Sequence, residues 1–281
     1  MIKLSREIGP TKILLISLLV VIIVGAFILK LPICNQQPIK TIDSIFVATS
    51  ATCVTGLTPI VPIEQFTMLG QVVLLALIQI GGIGFMTLIS IVLIMIGKKL
   101  NLSDKIIIKE SLNQDSFKGL VTLLKKICVY TFIVEALGAC ILAIRFIPDF
   151  GFGKGIWFSI FHSISAFCNA GFDLLGSTSI IRYSSDWIVC LTLMLLIIVG
   201  GLGFTVWDDI VENIRNRKKF HQLTVHTKLV LIITTILLIS GTLLVLFFEC
   251  NNEQTMGSDV WRNENIKSSI SINNFKNSRI L

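Results

Sequence analysis

Five apolar runs, separated by short polar stretches bearing proline and glycine, set the pattern of this 281-residue chain. Residues 10–31, 67–96, 120–147, 187–210 and 223–248 each approach or exceed the roughly 20 apolar residues that a helix needs to cross a bilayer. Pro32 closes the first run and Pro148 the third, because proline lacks the N–H that would continue a helix. Two further segments, 41–51 and 156–166, are half-length helices, too short to span. Each leads into small residues, hydroxyls and a glycine, T-C-V-T-G-L over 52–57 and F-C-N-A-G-F over 167–172. At membrane depth such irregular backbone is tolerated only where it is buried in protein or lines a water-filled path. Pro59 and Pro62 oppose a continued helix, so 58–65 returns to the surface, and 149–155 reads as a glycine-rich loop. The pattern predicts an all-α polytopic membrane protein built from helix, pore loop and helix.

Composition agrees and narrows the class. The chain is 53% hydrophobic and 15% charged, well below the roughly 25% charge of soluble domains. A net charge of +7 suggests nucleic acid, but the basic residues punctuate apolar spans and form no stripe with aromatics. The N-terminal end and the loops after the second and fourth spans hold fifteen Lys and Arg. The opposite side holds five (Lys30, Lys40, Arg145, Lys154 and Arg182), the tail aside. By the positive-inside rule the N-terminus is cytoplasmic and both half-helices enter from outside. The basic start resembles a signal peptide, yet the apolar run is a full span and no A-x-A site follows, so it reads as a retained helix. Seven cysteines are scattered without C-x-x-C, which supports neither a zinc site nor a disulfide framework.

The chain also repeats itself. FVATSATCVTGL from Phe46 aligns with FHSISAFCNAGF from Phe161, 115 residues later, pairing Phe, Ser, Ala, Cys and Gly. GGIGF from Gly81 aligns with GGLGF from Gly200 at an offset of 119. A third echo, at 216, pairs Thr11-Lys12 with Thr227-Lys228 and Gly25 with Gly241. Fixed-order self-similarity marks a repeated unit. The divisions are a first repeat over 1–100, a second over 101–222, the first helix of a third over 223–250, and a polar, atypical tail over 251–281. Both complete units have the same orientation, unlike the inverted repeats of many transporters.

Cation chemistry follows from that unit. A cation sheds its water shell only if other oxygens replace it, and backbone carbonyls can do so. A re-entrant half-helix aims its negative C-terminal end at the same place. Gly56 and Gly171 supply the backbone freedom that turns carbonyls inward. The candidate ion-binding residues are Cys53, Val54, Thr55 and Gly56 with Cys168, Asn169, Ala170 and Gly171, acting through main-chain oxygens. Thr49, Ser50, Ser163 and Ser165 are placed to brace that backbone.

SATCVTGL, GGIGF, AFCNAGFDLLG and GGLGF together resemble the Trk/Ktr/HKT superfamily of potassium transporters, most closely the KtrB-type or TrkH-type membrane subunit. The resemblance runs from residue 1 to about residue 250. It implies four helix–pore loop–helix repeats around one potassium path in the cell membrane, each giving a filter strand with a central glycine. It also implies a homodimer seated on a cytoplasmic nucleotide-binding ring, sodium stimulation of transport, and no cofactor. The sequence departs from the family in supplying two strands, with a third repeat that opens at Thr227 and stops before its pore loop. Cys53 and Cys168 stand where Thr or Asn is expected, and 251–281 resembles none of the family. A truncated or frame-shifted, non-conducting fragment is therefore the alternative to potassium uptake. A membrane enzyme is not expected, since no metal-ligand cluster, nucleophile elbow or P-loop occurs.

Other features have plainer readings. The Gly-Gly-x-Gly runs are read first as helix contact points and second as a gating bend. Glu135, an acid inside a span, is either functional or paired with a polar neighbour. His162 reads as a packed, hydrogen-bonded residue, and Asp208, Asp209 and Glu212 as partners of the adjacent basic loop. The basic clusters over 98–126 and 215–219 read as topology signals and lipid contacts.

Overall fold

The computed structural model describes residues 10–84, 120–217 and 220–249. The lower part of the expected second span, the lysine-rich loop before residue 120, Cys250 and the tail lie outside the described residues. The chain divides into two compact units, one ending at Glu212 and the other beginning at Asn213.

The regular elements of the first unit are all helices among the described residues, with one isolated antiparallel bridge between Asn35 and Phe66. Helix α1 runs Pro10–Lys30 and stops at Pro32, where Asn35 Nδ2 donates to the freed carbonyls of Leu29 and Leu31 at 2.6 and 2.9 Å. The first half-helix, α2, spans Thr41–Thr52. A single turn, α3 (Pro62–Gln65), precedes α4 (Met68–Ile83), whose N-cap Thr67 accepts from the Gly70 N–H. Next come α5 (Leu120–Phe150), the second half-helix α6 (Phe152–Phe167), α7 (Trp187–Gly201) and α8 (Phe204–Arg215). Asp186 caps α7, accepting from the N–H groups of Ile188 and Val189.

Both half-helices are packed among the apolar helices around them. Helix α2 lies against α1 and α4, and α6 against α5, α7 and α4. Their hydroxyl-rich faces are inside: Ser44, Ser50 and Thr52 of α2 and Ser159, Ser163 and Ser165 of α6 are buried. The core joins Leu29, Val47, Leu74 and Ile78 to Leu142, Phe146 and Phe161 in one cluster. Outward positions of α1, α5 and α7 are large and apolar, including Phe27, Phe132 and Leu195. That is the surface a lipid bilayer demands.

Length and composition make Thr122–Phe150 and Val225–Phe248 able to cross a membrane alone. Leu15–Lys30 and Met68–Ile83 are shorter apolar helices. This is an all-α membrane protein.

Two sequence expectations need correction. The fourth span does not continue to residue 210: α7 ends at Gly201 and α8 leaves at 100°. Gly203 supplies the left-handed turn (φ +89°), and the indole of Trp207 ties α8 back by donating to Val199 O at 2.8 Å. Helix α8 is amphipathic, with Phe204, Trp207 and Val211 set against Asp208, Asp209 and Glu212. Residues 149–155 are not a loop, because α5 passes through Pro148 to Phe150 and α6 starts at Phe152 around a single left-handed Gly151. So near the helix end, Pro148 removes one ladder bond and the helix survives it. Among the described residues Asp208 pairs with Lys126 of α5; Lys218 and Lys219 of the basic loop expected to hold it lie outside the described residues.

The second unit contains the long apolar helix α9 (Val225–Glu249). Thr224 caps it, accepting from the Thr227 N–H at 3.3 Å and donating to Thr227 Oγ1 at 2.9 Å. Its flanks are exposed and apolar, as at Leu237, Phe247 and Phe248.

Candidate functional site

The two half-helices end identically. In α2, Val54 N–H donates to Ala51 O at 3.2 Å and Thr55 N–H to Ser50 O at 2.8 Å. In α6, Asn169 N–H donates to Ala166 O at 3.0 Å and Ala170 N–H to Ser165 O at 2.8 Å. These paired backward bonds are a Schellman ending, which requires a left-handed residue just past the helix. Val54 (φ +49°) and Asn169 (φ +58°) take that position. Asparagine tolerates it, whereas a β-branched valine there is strained.

Two residues on, the chain turns left-handed again, at Gly56 (φ +81°) and Gly171 (φ +73°). Alternating hand along a strand turns successive peptide planes over, so consecutive carbonyls can face one side. The N–H groups of Cys53, Val54 and Thr55, and of Cys168, Asn169 and Ala170, all point back into their own helices. Among the described residues nothing donates to the eight carbonyls of 53–56 and 168–171. The two segments also meet. A β-carbon on Gly56 would stand 2.6 Å from Ala170 O and 3.1 Å from Gly171 Cα. The two expected segments therefore meet where Gly56 approaches Ala170 and Gly171, 115 positions later, and among the described residues their eight oxygens are unclaimed.

The glycine pairs of the following spans hold these ends in place. A β-carbon on Gly81 would collide with Thr52 O, and one on Gly200 with Phe167 O, the last helical carbonyl of α2 and α6 respectively. Only glycine lets the span backbone rest on that carbonyl. Both runs then end in a left-handed glycine, Gly84 (φ +88°) and Gly203 (φ +89°). Packing and bend thus occupy different glycines of one motif.

Comparison with known proteins bears on the same stretch. A family model described as TrkH, cation transport protein, matches residues 11–256. The chain belongs to the TrkH cation transport family. The potassium/sodium uptake protein NtpJ of Enterococcus hirae is 39% identical to it over 89% of this chain and 54% of its own length. Ktr system potassium uptake protein B is 40% identical in Bacillus subtilis, over 88% of this chain and 55% of the relative. In Vibrio alginolyticus it is 42% identical, over 89% and 54%. The chain spans about half the length of these relatives.

Within this TrkH-family chain the expected braces differ between the two ends. Ser165 donates to Phe172 O at 2.7 Å, fixing the exit of the second strand. Ser50, its counterpart, is buried, and its hydroxyl finds no partner among the described residues. Ser163 instead donates to Glu135 O at 2.6 Å, and Thr49 to Ile45 O of its own helix at 2.7 Å. His162 is packed and hydrogen-bonded: Leu174 N–H donates to Nε2 at 3.3 Å, and Nδ1 lies 2.7 Å from Phe158 O. A ring accepting at Nε2 and donating from Nδ1 is neutral.

Sequence reasoning missed the clasp around the second strand's exit. Asp173 accepts from Leu175 N–H at 3.0 Å and Ser179 Oγ at 2.7 Å. Tyr183 donates to Asp149 at 2.6 Å, and burial together with that carboxylate pushes its hydroxyl pKa up. Arg145 and Asp186 pair at 3.0 Å. Short polar residues after a pore-like segment were the available signal. The six described cysteines are all free, and Cys250 lies outside the described residues.

Proposed function

We propose that this chain takes up potassium as the membrane subunit of a Trk/Ktr-type system, with the carbonyls of residues 53–56 and 168–171 lining the cation path. The observation that carries this reading is the set of eight unclaimed carbonyls on two segments of alternating hand that meet at Gly56 and Gly171. Such oxygens replace a cation's water shell, and the negative ends of α2 and α6 stand immediately behind them. The names of the relatives, potassium uptake and potassium/sodium uptake, support the same cargo. On this reading the N-terminus is cytoplasmic and the half-helices enter from outside. The assembly is a homodimer in the cell membrane on a cytoplasmic nucleotide-binding subunit, and sodium stimulates it.

The test is growth at limiting potassium of a cell lacking its own uptake systems. The reading expects rescue by this chain co-expressed with such a regulatory subunit. Rescue only by a version extended through two more pore-loop repeats overturns uptake by the chain as it stands.

A further inference from the structure

We propose that Glu135 and Gln79 form a polar brace that positions the second filter strand relative to the first and so helps to set cation discrimination. The discrimination half of this proposal rests on the uptake reading above. Glu135, on α5, is buried at 4% exposure in a membrane span. Its Oε1 accepts from Gln79 Nε2 at 2.8 Å. Gln79 Oε1 in turn accepts from the thiol of Cys168, the first residue of the second strand, at 3.8 Å. The backbone carbonyl of Glu135 takes the Ser163 hydroxyl in the half-helix that feeds that strand. Three residues beyond Gln79, Gly82 lies so close that a β-carbon would strike Cys168 Sγ.

The brace crosses the repeat. Helix α4 follows the first strand, and its Gly81 rests on Thr52 O directly behind that strand. Through Gln79 and Gly82 the same two turns of α4 touch the second strand. One helix thus stands behind both strands, and Glu135 holds Gln79, which makes a polar contact to the second. A carbonyl filter discriminates by the number and placement of its oxygens, so the strut that spaces two strands acts on discrimination without touching the ion.

A packing role alone does not account for the acid. Glu135 Oε2 has no hydrogen-bond partner among the described residues, and neither has the hydroxyl of Thr131 one turn earlier, which is fully buried. Unsatisfied buried oxygens cost stability, and an apolar side chain of the same length fills such a site more cheaply. The second repeat has Ile198 at the position corresponding to Gln79, so the brace is a device of one strand only.

The chain's own cysteines report on it. In detergent, maleimide labelling is followed residue by residue by mass spectrometry, comparing Cys168 with exposed Cys53 and buried Cys34. Gln79→Met and Glu135→Met keep length and apolar packing but remove the brace. Each should speed Cys168 labelling by roughly tenfold or more through local opening, with Cys34 and Cys53 unchanged. Glu135→Gln retains the accepting oxygen and should label like the native chain. A native Cys168 rate in both Met variants overturns the brace, as does a parallel rise at Cys34, which marks general loosening. In uptake-deficient cells the Met variants should lose potassium-over-sodium discrimination while Glu135→Gln keeps it. Loosened Cys168 with unchanged discrimination overturns the selectivity role. Absence of uptake in the native chain counts against the uptake reading and leaves labelling to decide the brace.

Discussion

Gly56 and Gly171 lie back to back, so close that a β-carbon on the first would stand 3.1 Å from the Cα of the second. The relation is not symmetric. A β-carbon on Gly171 would meet only Gly56 Cα, at an ordinary 3.5 Å, whereas one on Gly56 also strikes Ala170 O at 2.6 Å. Both positions carry the cost of a left-handed backbone, about 1–2 kcal/mol for a residue with a side chain. Gly171→Ala should therefore lower stability by about that amount. Gly56→Ala should lower it further, because main chain has to move. Thermal unfolding in detergent measures both, and equal shifts would contradict the asymmetry.

The Gly-Gly-x-Gly motifs divide their labour, which gives a second ordering. Gly200→Ala places a methyl group on Phe167 O, a main-chain atom that cannot swing aside. Gly203→Ala meets nothing within 4 Å and pays only for its φ of +89°. The first should abolish accumulation of folded protein. The second should cost about 1–2 kcal/mol and leave the fold intact. Size-exclusion profiles after membrane extraction check the pair. A well-folded Gly200→Ala chain would contradict the contact.

Val54 offers a stabilising change. It is a β-branched residue at φ +49°, in the place where the second strand has Asn169. Val54→Asn keeps the Schellman ending and relieves a strain of order 1 kcal/mol. The melting temperature should rise by roughly 2–4 °C for a chain of this size. A fall would mean that the valine's packing outweighs its backbone strain.

The exit of the second strand is held more firmly than that of the first. Ser165→Ala removes the bond to Phe172 O and leaves a buried carbonyl unpaired, costing about 1–3 kcal/mol. Ser50→Ala removes a hydroxyl that has no partner among the described residues and should be neutral or slightly stabilising. Chemical denaturation in mixed micelles separates the two, and a larger loss for Ser50→Ala would contradict the difference.

Much of this was legible in the residues. Proline and glycine marked the ends of α1 and α2, and the recurrence of Ser-Ala-x-Cys-x-x-Gly located both loops and their glycines. The apolar pattern carries residues 204–210 of α8 into the preceding span, because Phe204, Val206 and Trp207 extend the hydropathy signal past the break at Gly203. Pro148 was read as a stop, yet it sits where only one ladder bond is at stake. The Gln79–Glu135 contact joins residues 56 positions apart on different spans. No local pattern encodes such a partner, although a lone amide and a lone acid within apolar helices were the visible signal. The strain at Val54 is a property of the Schellman ending that no residue-type rule at that position announces.

The central claim, that residues 53–56 and 168–171 line a cation path, is tested most directly by ion discrimination at the two glycines. Potassium and sodium uptake are measured in uptake-deficient cells expressing the native chain, Gly56→Ser or Gly171→Ser. The account predicts that either serine lowers the potassium-to-sodium ratio, with the larger effect at Gly56, where the new side chain meets Ala170 O. An unchanged ratio in both variants, with uptake retained, would contradict it.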